Sequence, residues 1–227
     1  MGRLADLEIN TNSGGRSKVE KLVIASGNAG KVREFKEILR GWEITSMKEE
    51  GVFAEVDETG TTFEENAEIK ARALADRLRA AGIEAIAIAD DSGMEVDAFD
   101  GGPGVYSARY LGEQTPYEEK NRIILERLKD VPEEERGARY VCAIVAVWPD
   151  GRINATQAVC DGRIGYESAG TGGFGYDPIF FVPEFSKSMA ELTADEKNKI
   201  SHRGKALEKI VKILEKESVK RKKKFGE

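Results

Sequence analysis

Two adjacent carboxylates, Asp90 and Asp91, stand in the segment Ala89-Asp-Asp-Ser-Gly93. They follow an apolar run, Ile83 to Ala89, broken only by Glu84, which reads as a strand buried on both faces. That places them at a strand end, where ligands of open α/β sheets collect. Adjacent strand residues point to opposite faces, so the two carboxylates are expected to do different work. One would hold a divalent cation or poise a water, and the other would fix the loop. Capping of the next turn is the plain alternative for one of them. Mg²⁺ suits such a pair, because it takes a few carboxylates and completes its shell with phosphate oxygens.

The segment Ser26-Gly-Asn-Ala-Gly-Lys31 joins an apolar run, Lys21 to Ala25, to a helical pattern. A helix start offers unpaired N–H groups and a positive dipole end, which suit phosphate, and glycines let the backbone approach it. Lys31 and Arg33 fall in the expected first turn, where the dipole disfavours cations. An anionic ligand would account for them, and so would an ordinary corner with solvent-facing side chains. The spacing is not that of a P-loop. A polar stretch (Glu55, Asp57, Glu58, then Glu64, Glu65 and Asn66) could supply a second metal carboxylate, although most of it reads as solvated surface charge and Thr62 with Glu65 also reads as a helix capping box.

Gly170-Thr-Gly-Gly-Phe-Gly-Tyr-Asp-Pro178 places Phe174 and Tyr176 in a glycine-rich loop. An aromatic there could stack on a purine, or could belong to a tight turn over the core. Ser201 suits an N-cap, which puts His202 and Arg203 in a helix's first turn, close in sequence to Lys197. His202 is the only histidine, so a multi-histidine metal site is excluded. No Ser/His/Asp triad or activated thiol can be assembled.

The elements that must position these groups follow from periodicity. Strands are expected at Lys21–Ala25, Ile83–Ala89, Tyr140–Trp148, Arg152–Cys160 and Ile179–Val182. Helices are expected from Lys31 to Gly41, Thr61 to Ala81, Pro116 to Leu128 and Gly204 to Lys216, with a glycine-rich loop over 100–112. A hairpin at Pro149-Asp150-Gly151 among interspersed helices predicts an α/β protein with a mixed sheet.

The chain has 227 residues, 40% hydrophobic and 33% charged, enough for a packed core. A net charge of −6 argues against a nucleic-acid partner. No run is long and apolar enough to cross a membrane, residues 1–20 lack the apolar core of a signal peptide, and the two cysteines suggest no disulfide framework. A cytoplasmic location is expected. Residues 1–20 read as a flexible extension, 21–217 as a single domain, and 218–227 as a basic, solvated tail.

Taken in order, Ser26–Lys31, Ala89–Gly93, Pro103-Gly-Val-Tyr-Ser-Ala-Arg109, Gly170–Pro178 and Ile200-Ser-His-Arg203 resemble the inosine triphosphate pyrophosphatase family over residues 21–215. The resemblance implies a homodimer of elongated, two-lobed α/β subunits with the active site in a cleft between the lobes. It implies hydrolysis of ITP, dITP and XTP to monophosphate and pyrophosphate with Mg²⁺. By the same resemblance, Ser26, Gly27, Asn28, Ala29, Gly30 and Lys31 grip the triphosphate, with Lys31 also catalytic. Asp91 is base and metal ligand, and Ser92 contacts substrate. Phe174, Gly175, Tyr176, Asp177, Lys197, His202 and Arg203 form the base and sugar pocket. A glutamate before the second helix joins Asp91 on the metal; Glu58 is assigned, with Glu55 and Asp57 as alternatives. His202 or Arg203 is the candidate reader of the purine 6-oxo group. A broader or pyrimidine-directed pyrophosphatase of similar architecture is the competing enzyme class, and a non-catalytic nucleotide- or RNA-binding protein the competing non-enzyme.

Overall fold

The structure is a computed structural model that describes the backbone of residues 20–225 and side chains through 220. The expected N-terminal extension therefore lies outside the described residues, apart from Glu20. Seven strands form one mixed sheet: β1 (Lys21–Ile24), β2 (Glu43–Ser46), β3 (Ile86–Val96), β4 (Gly137–Val147), β5 (Ile153–Ile164), β6 (Phe180–Val182) and β7 (Lys187–Ser188). Their order is β2-β1-β3-β4-β5-β6-β7. The β1 pairings with β2 and β3 are parallel, and all later pairings are antiparallel. This is the mixed α/β sheet expected from the hairpin.

The helices are α1 (Ala29–Ile38), α2 (Phe63–Ala80), α3 (Tyr117–Arg127), α4 (Ala194–Ile200) and α5 (His202–Phe225). The α5 backbone continues through the basic run expected to be a tail. The Thr62–Glu65 capping box forms and opens α2, so Glu65 serves the helix. Ser201 Oγ accepts from the Gly204 amide at 3.0 Å, starting α5 as its sequence suggested.

Alternation along β3 gives the sheet two buried faces. Ile86 and Ile88 pack with Phe35 of α1 and Leu207, Ile210 and Leu214 of α5. Ala87 and Ala89 pack with Phe63, Ala67, Ala71 and Leu74 of α2, small residues that let that helix lie close. A third core gathers Met94, Tyr140, Tyr176 and Phe180 toward the β6 end. The aspartates do not end the strand as expected: β3 continues to Val96, paired with β4. What ends is the parallel pairing with β1, which reaches only Ile88. Beyond it the β1 chain turns away into α1 and opens the sheet beside Asp90 and Asp91.

Candidate active site

Alternation sends the two carboxylates to opposite faces. Asp90 lies on the α1/α5 face, its side chain fully buried. Its Oδ2 is 3.0 Å from Lys31 Nζ and 3.0 Å from Arg203 Nη2. Burial alone pushes its acidity toward the neutral acid, but Lys31, Arg203 and Lys70 together override this and hold it well below the usual carboxylate range. Asp91 lies on the α2 face, where Oδ1 accepts from Lys70 Nζ at 2.8 Å and Oδ2 faces Asn66 Nδ2 at 3.4 Å. There burial wins over Lys70 and Lys31, and the pKa is raised. Two neighbouring acids with environments that pull their pKa values apart are suited to separate roles: Asp90 as a permanent anion, Asp91 as a group able to take a proton.

Lys31 is thus held against the helix dipole by an anion of the protein itself. Asn28 also differs from expectation. Its Oδ1 accepts from the Gly30 and Lys31 amides at 2.9 and 3.2 Å, so the capping side chain occupies two of the N–H groups expected to face a phosphate. Ser26 Oγ accepts from the Asn28 amide at 3.1 Å. Of Ser26 to Lys31, Asn28 and Lys31 line the central cavity, and Ser26, Gly27, Ala29 and Gly30 do not. Gly30 instead lies flat against Phe174: a Cβ there would sit 2.8 Å from the ring.

A buried ion network crosses from α1 to α5. Arg203 Nη1 donates to Glu34 Oε2 at 2.5 Å, and Nη2 donates to Asp90 and to Ser92 Oγ (2.8 Å). Lys197 bridges Glu34 (2.8 Å) and Asp177 (2.7 Å). Asp177 also receives the Phe174 amide at 2.8 Å and the Tyr140 hydroxyl at 3.2 Å, which fixes the glycine-rich loop. Gly173 and Gly175 take positive φ (69° and 71°), a conformation that favours glycine and swings the half-buried Phe174 over Lys197, 4.8 Å from Nζ to ring centroid. Tyr176 takes the core option: it is buried with its hydroxyl donating to the Ser107 carbonyl at 2.7 Å. Phe174 is therefore the plate available to a ligand ring, and Tyr176 a pin.

His202 is buried and stacked on Tyr140, centroids 4.6 Å apart and planes 14° apart. Burial, with Arg203 and Lys197 nearby, holds its pKa well below 6.5, so the ring is neutral. Its Nδ1 has no partner among the described residues, whereas each Arg203 guanidinium nitrogen is engaged. Of the two residues proposed to read a base, His202 has the free polar atom.

These groups surround one cavity of about 120 Å³, lined by Asn28, Lys31, Glu58, Lys70, Asp91, Ser92, Phe174, Gly175, Tyr176, Asp177, Lys197, His202 and Arg203 among others. A second depression, between the end of α2 and Trp148, is mainly apolar and holds none of them. Sequence reasoning missed Lys70 and Glu34, and gave no individual role to Asn66 and Arg109. The signal was present: Asn66 and Lys70 lie on the same helical stripe as Phe63, Ala67 and Leu74, polar residues where the period demands apolar ones.

Of the three acidic candidates before α2, Glu58 lines the cavity while Glu55 and Asp57 are exposed. Glu58 Oε1 and Asp91 Oδ1 converge on one point, marked by Lys70 Nζ at 3.0 and 2.8 Å. No cluster of three or more acidic, histidine or cysteine groups able to hold a metal exists among the described residues. Two hard oxygen ligands fit a cation that draws the rest of its shell from substrate, which is the habit of Mg²⁺.

A mixed α/β sheet that opens onto a split carboxylate pair, a set of lysines and an aromatic plate is the equipment of a nucleotide hydrolase. The Ham1 family model matches residues 22–213, and the chain belongs to that family. The dITP/XTP pyrophosphatase of Bacillus subtilis is 47% identical over 199 residues, 87% of this chain and 98% of that protein. The dITP/XTP pyrophosphatase of Clostridium perfringens is 48% identical over 195 residues, 85% of this chain and 96% of that one. Among solved structures, the Staphylococcus aureus Ham1 protein matches with a TM-score of 0.75 at 40% identity, covering 87% of this chain and 100% of that one.

Proposed function

We propose that the protein hydrolyses the deaminated purine nucleoside triphosphates ITP, dITP and XTP to monophosphate and pyrophosphate. The observation that carries this reading is Asp91 on the wall of a cavity that also holds Lys31, Phe174 and His202, with Asp90 buried behind Lys31 and Arg203. The names of relatives at 47–48% identity over nearly their whole length support it.

Asp91 orients a water and takes its proton as the water attacks the α-phosphorus. Asp90 keeps Lys31 and Arg203 aligned. Lys31, held at the cavity wall, faces the phosphates and offsets charge as pyrophosphate leaves. Mg²⁺, held by Glu58, Asp91 and phosphate oxygens, would supply further charge neutralisation. Phe174 stacks on the purine. His202, whose neutral ring lines the cavity and keeps one N–H, is assigned as the donor to the 6-oxo group. The 6-amino group of adenine would leave that donor unpaired, which is how a polar pocket rejects an analogue.

The homodimer and the two-lobed shape belong to the same proposal. The shape is supported by a cavity that draws residues from elements on the first two cores and from Tyr140 and Tyr176 of the third. A cytoplasmic location belongs to the proposal as well; no described helix is long and apolar enough to cross a membrane.

The test is product identification with dITP and Mg²⁺. Equimolar dIMP and pyrophosphate are expected. Orthophosphate as the primary product would overturn the reading, and equal turnover of UTP and ITP would favour a broader pyrophosphatase.

A further inference from the structure

Lys70 is placed in an unusual way. It rises from α2 on the stripe that faces the sheet, and its ammonium sits between Glu58 and Asp91, 3.0 and 2.8 Å from one oxygen of each. The remaining oxygens are also served: Glu58 Oε2 by Arg109 at 3.2 Å and Asp91 Oδ2 by Asn66 at 3.4 Å. Lys70 and Arg109 thus match two carboxylates with two cations. The neighbouring network is balanced too, with Lys31, Lys197 and Arg203 against Glu34, Asp90 and Asp177. A pocket for a highly charged anion carries no formal surplus of positive charge.

We propose that Lys70 is a built-in place-holder cation. It occupies the point between Glu58 and Asp91 and yields it only when a nucleotide's phosphates offer its ammonium other partners. A flexible four-carbon stem with three rotatable donors makes such a transfer possible, where a planar guanidinium would not. Displacing Lys70 without phosphate present would strand a partly buried ammonium among Arg109 and an arriving dication, at a cost the two carboxylates cannot offset. A divalent cation and the nucleotide therefore bind together, each raising the affinity for the other. This inference rests on the reading of Glu58 and Asp91 as the metal ligands.

The test is Mn²⁺ binding to the full chain, followed by electron paramagnetic resonance. Wild type without nucleotide should bind Mn²⁺ about tenfold more weakly than Lys70→Gln or Lys70→Met, a difference of one decade in Kd. In wild type, an inosine triphosphate analogue with a methylene between the α- and β-phosphorus should raise Mn²⁺ retention beyond the analogue's own chelation. Equal Mn²⁺ affinity with and without the analogue would overturn the proposal, and this comparison needs no variant. So would Lys70 variants that fold, as judged by thermal melts, and bind Mn²⁺ no tighter than wild type. Glu58→Gln and Asp91→Asn separate the two layers. If they abolish analogue-dependent binding while the Lys70 variants change nothing, only the place-holder fails. If they leave that binding intact, the metal reading itself fails.

Discussion

Asp90 and Asp91 are adjacent in sequence, yet replacing each by asparagine is expected to have opposite consequences. The Asp90 side chain is fully buried, and its Oδ2 takes both Lys31 and Arg203 at 3.0 Å. Asparagine keeps the shape and removes the charge that both cations need. Breaking a buried pair typically costs about 3–5 kcal/mol. Arg203 would keep Glu34, and Lys31 has 17% of its side chain exposed to reach water, so the lower end applies. At roughly 2–4 °C per kcal/mol for a domain of this size, about 3 kcal/mol lowers Tm by roughly 6–12 °C. Asp91 is different, because burial works against its charged form and its partner Lys70 retains Glu58. Asp91→Asn should therefore melt at or slightly above wild type while losing turnover by a factor of about 10²–10⁴, the usual contribution of a positioned base. Thermal melts of the nucleotide-free proteins and a pyrophosphate-release assay read the two quantities separately. An Asp90→Asn protein within about 2 °C of wild type, or an Asp91→Asn protein that melts as low as Asp90→Asn, would refute the division of roles.

Two further outcomes follow from the same geometry. His202 is the only histidine, so imidazole NMR signals report on it alone; the folded ring should stay neutral as the pH falls through 6.5, where a free imidazole takes up its proton. The unfolded imidazole takes up a proton near 6.5 that the buried one refuses, so stability should fall as pH drops below 6.5, and His202→Phe should flatten that slope; a folded-state titration near 6.5 would show the environment to be misread. Gly30→Ala adds a methyl 2.8 Å from the Phe174 ring, and alanine is the better helix former. It should leave Tm unchanged or higher yet raise KM for ITP about fivefold, the equivalent of roughly 1 kcal/mol of lost stacking; an unchanged KM would remove Phe174 from the substrate plate.

Several features were legible because they depend on local chemistry. The α2 capping box, the Ser201 cap and the hairpin between β4 and β5 rest on neighbours a few residues apart, and each formed as read. The end of β3 was misread because polar Asp90 to Gly93 look like a loop. Their strand conformation is imposed by β4, whose register with β3 runs to Val96. The helix start at Asn28 could not be resolved either, because it looks the same whether a side chain or an anion satisfies its amides; the structure shows Asn28 capping two of them while also lining the cavity. Tyr176 and Phe174, two residues apart in one glycine-rich loop, could not be told apart until the Ser107 carbonyl held Tyr176 from elsewhere in the chain, and Lys197 and Tyr140 fixed the Asp177 that takes the Phe174 amide.

The sequence by itself determined the α/β class, the mixed sheet and the set of chemically able residues, since periodicity, caps and turn residues act over short distances. It also carried the family, through ordered motifs. Only the tertiary structure decided how those residues divide the work. Glu34 and Asp90 meet across 56 positions through Arg203, and Glu58 meets Asp91 through Lys70. Charge pairing over such separations depends on which face of the sheet each side chain enters and what is packed there. Alternation along β3 sent Asp90 into one buried layer and Asp91 into the other, and burial with different partners gave two identical side chains different acidities.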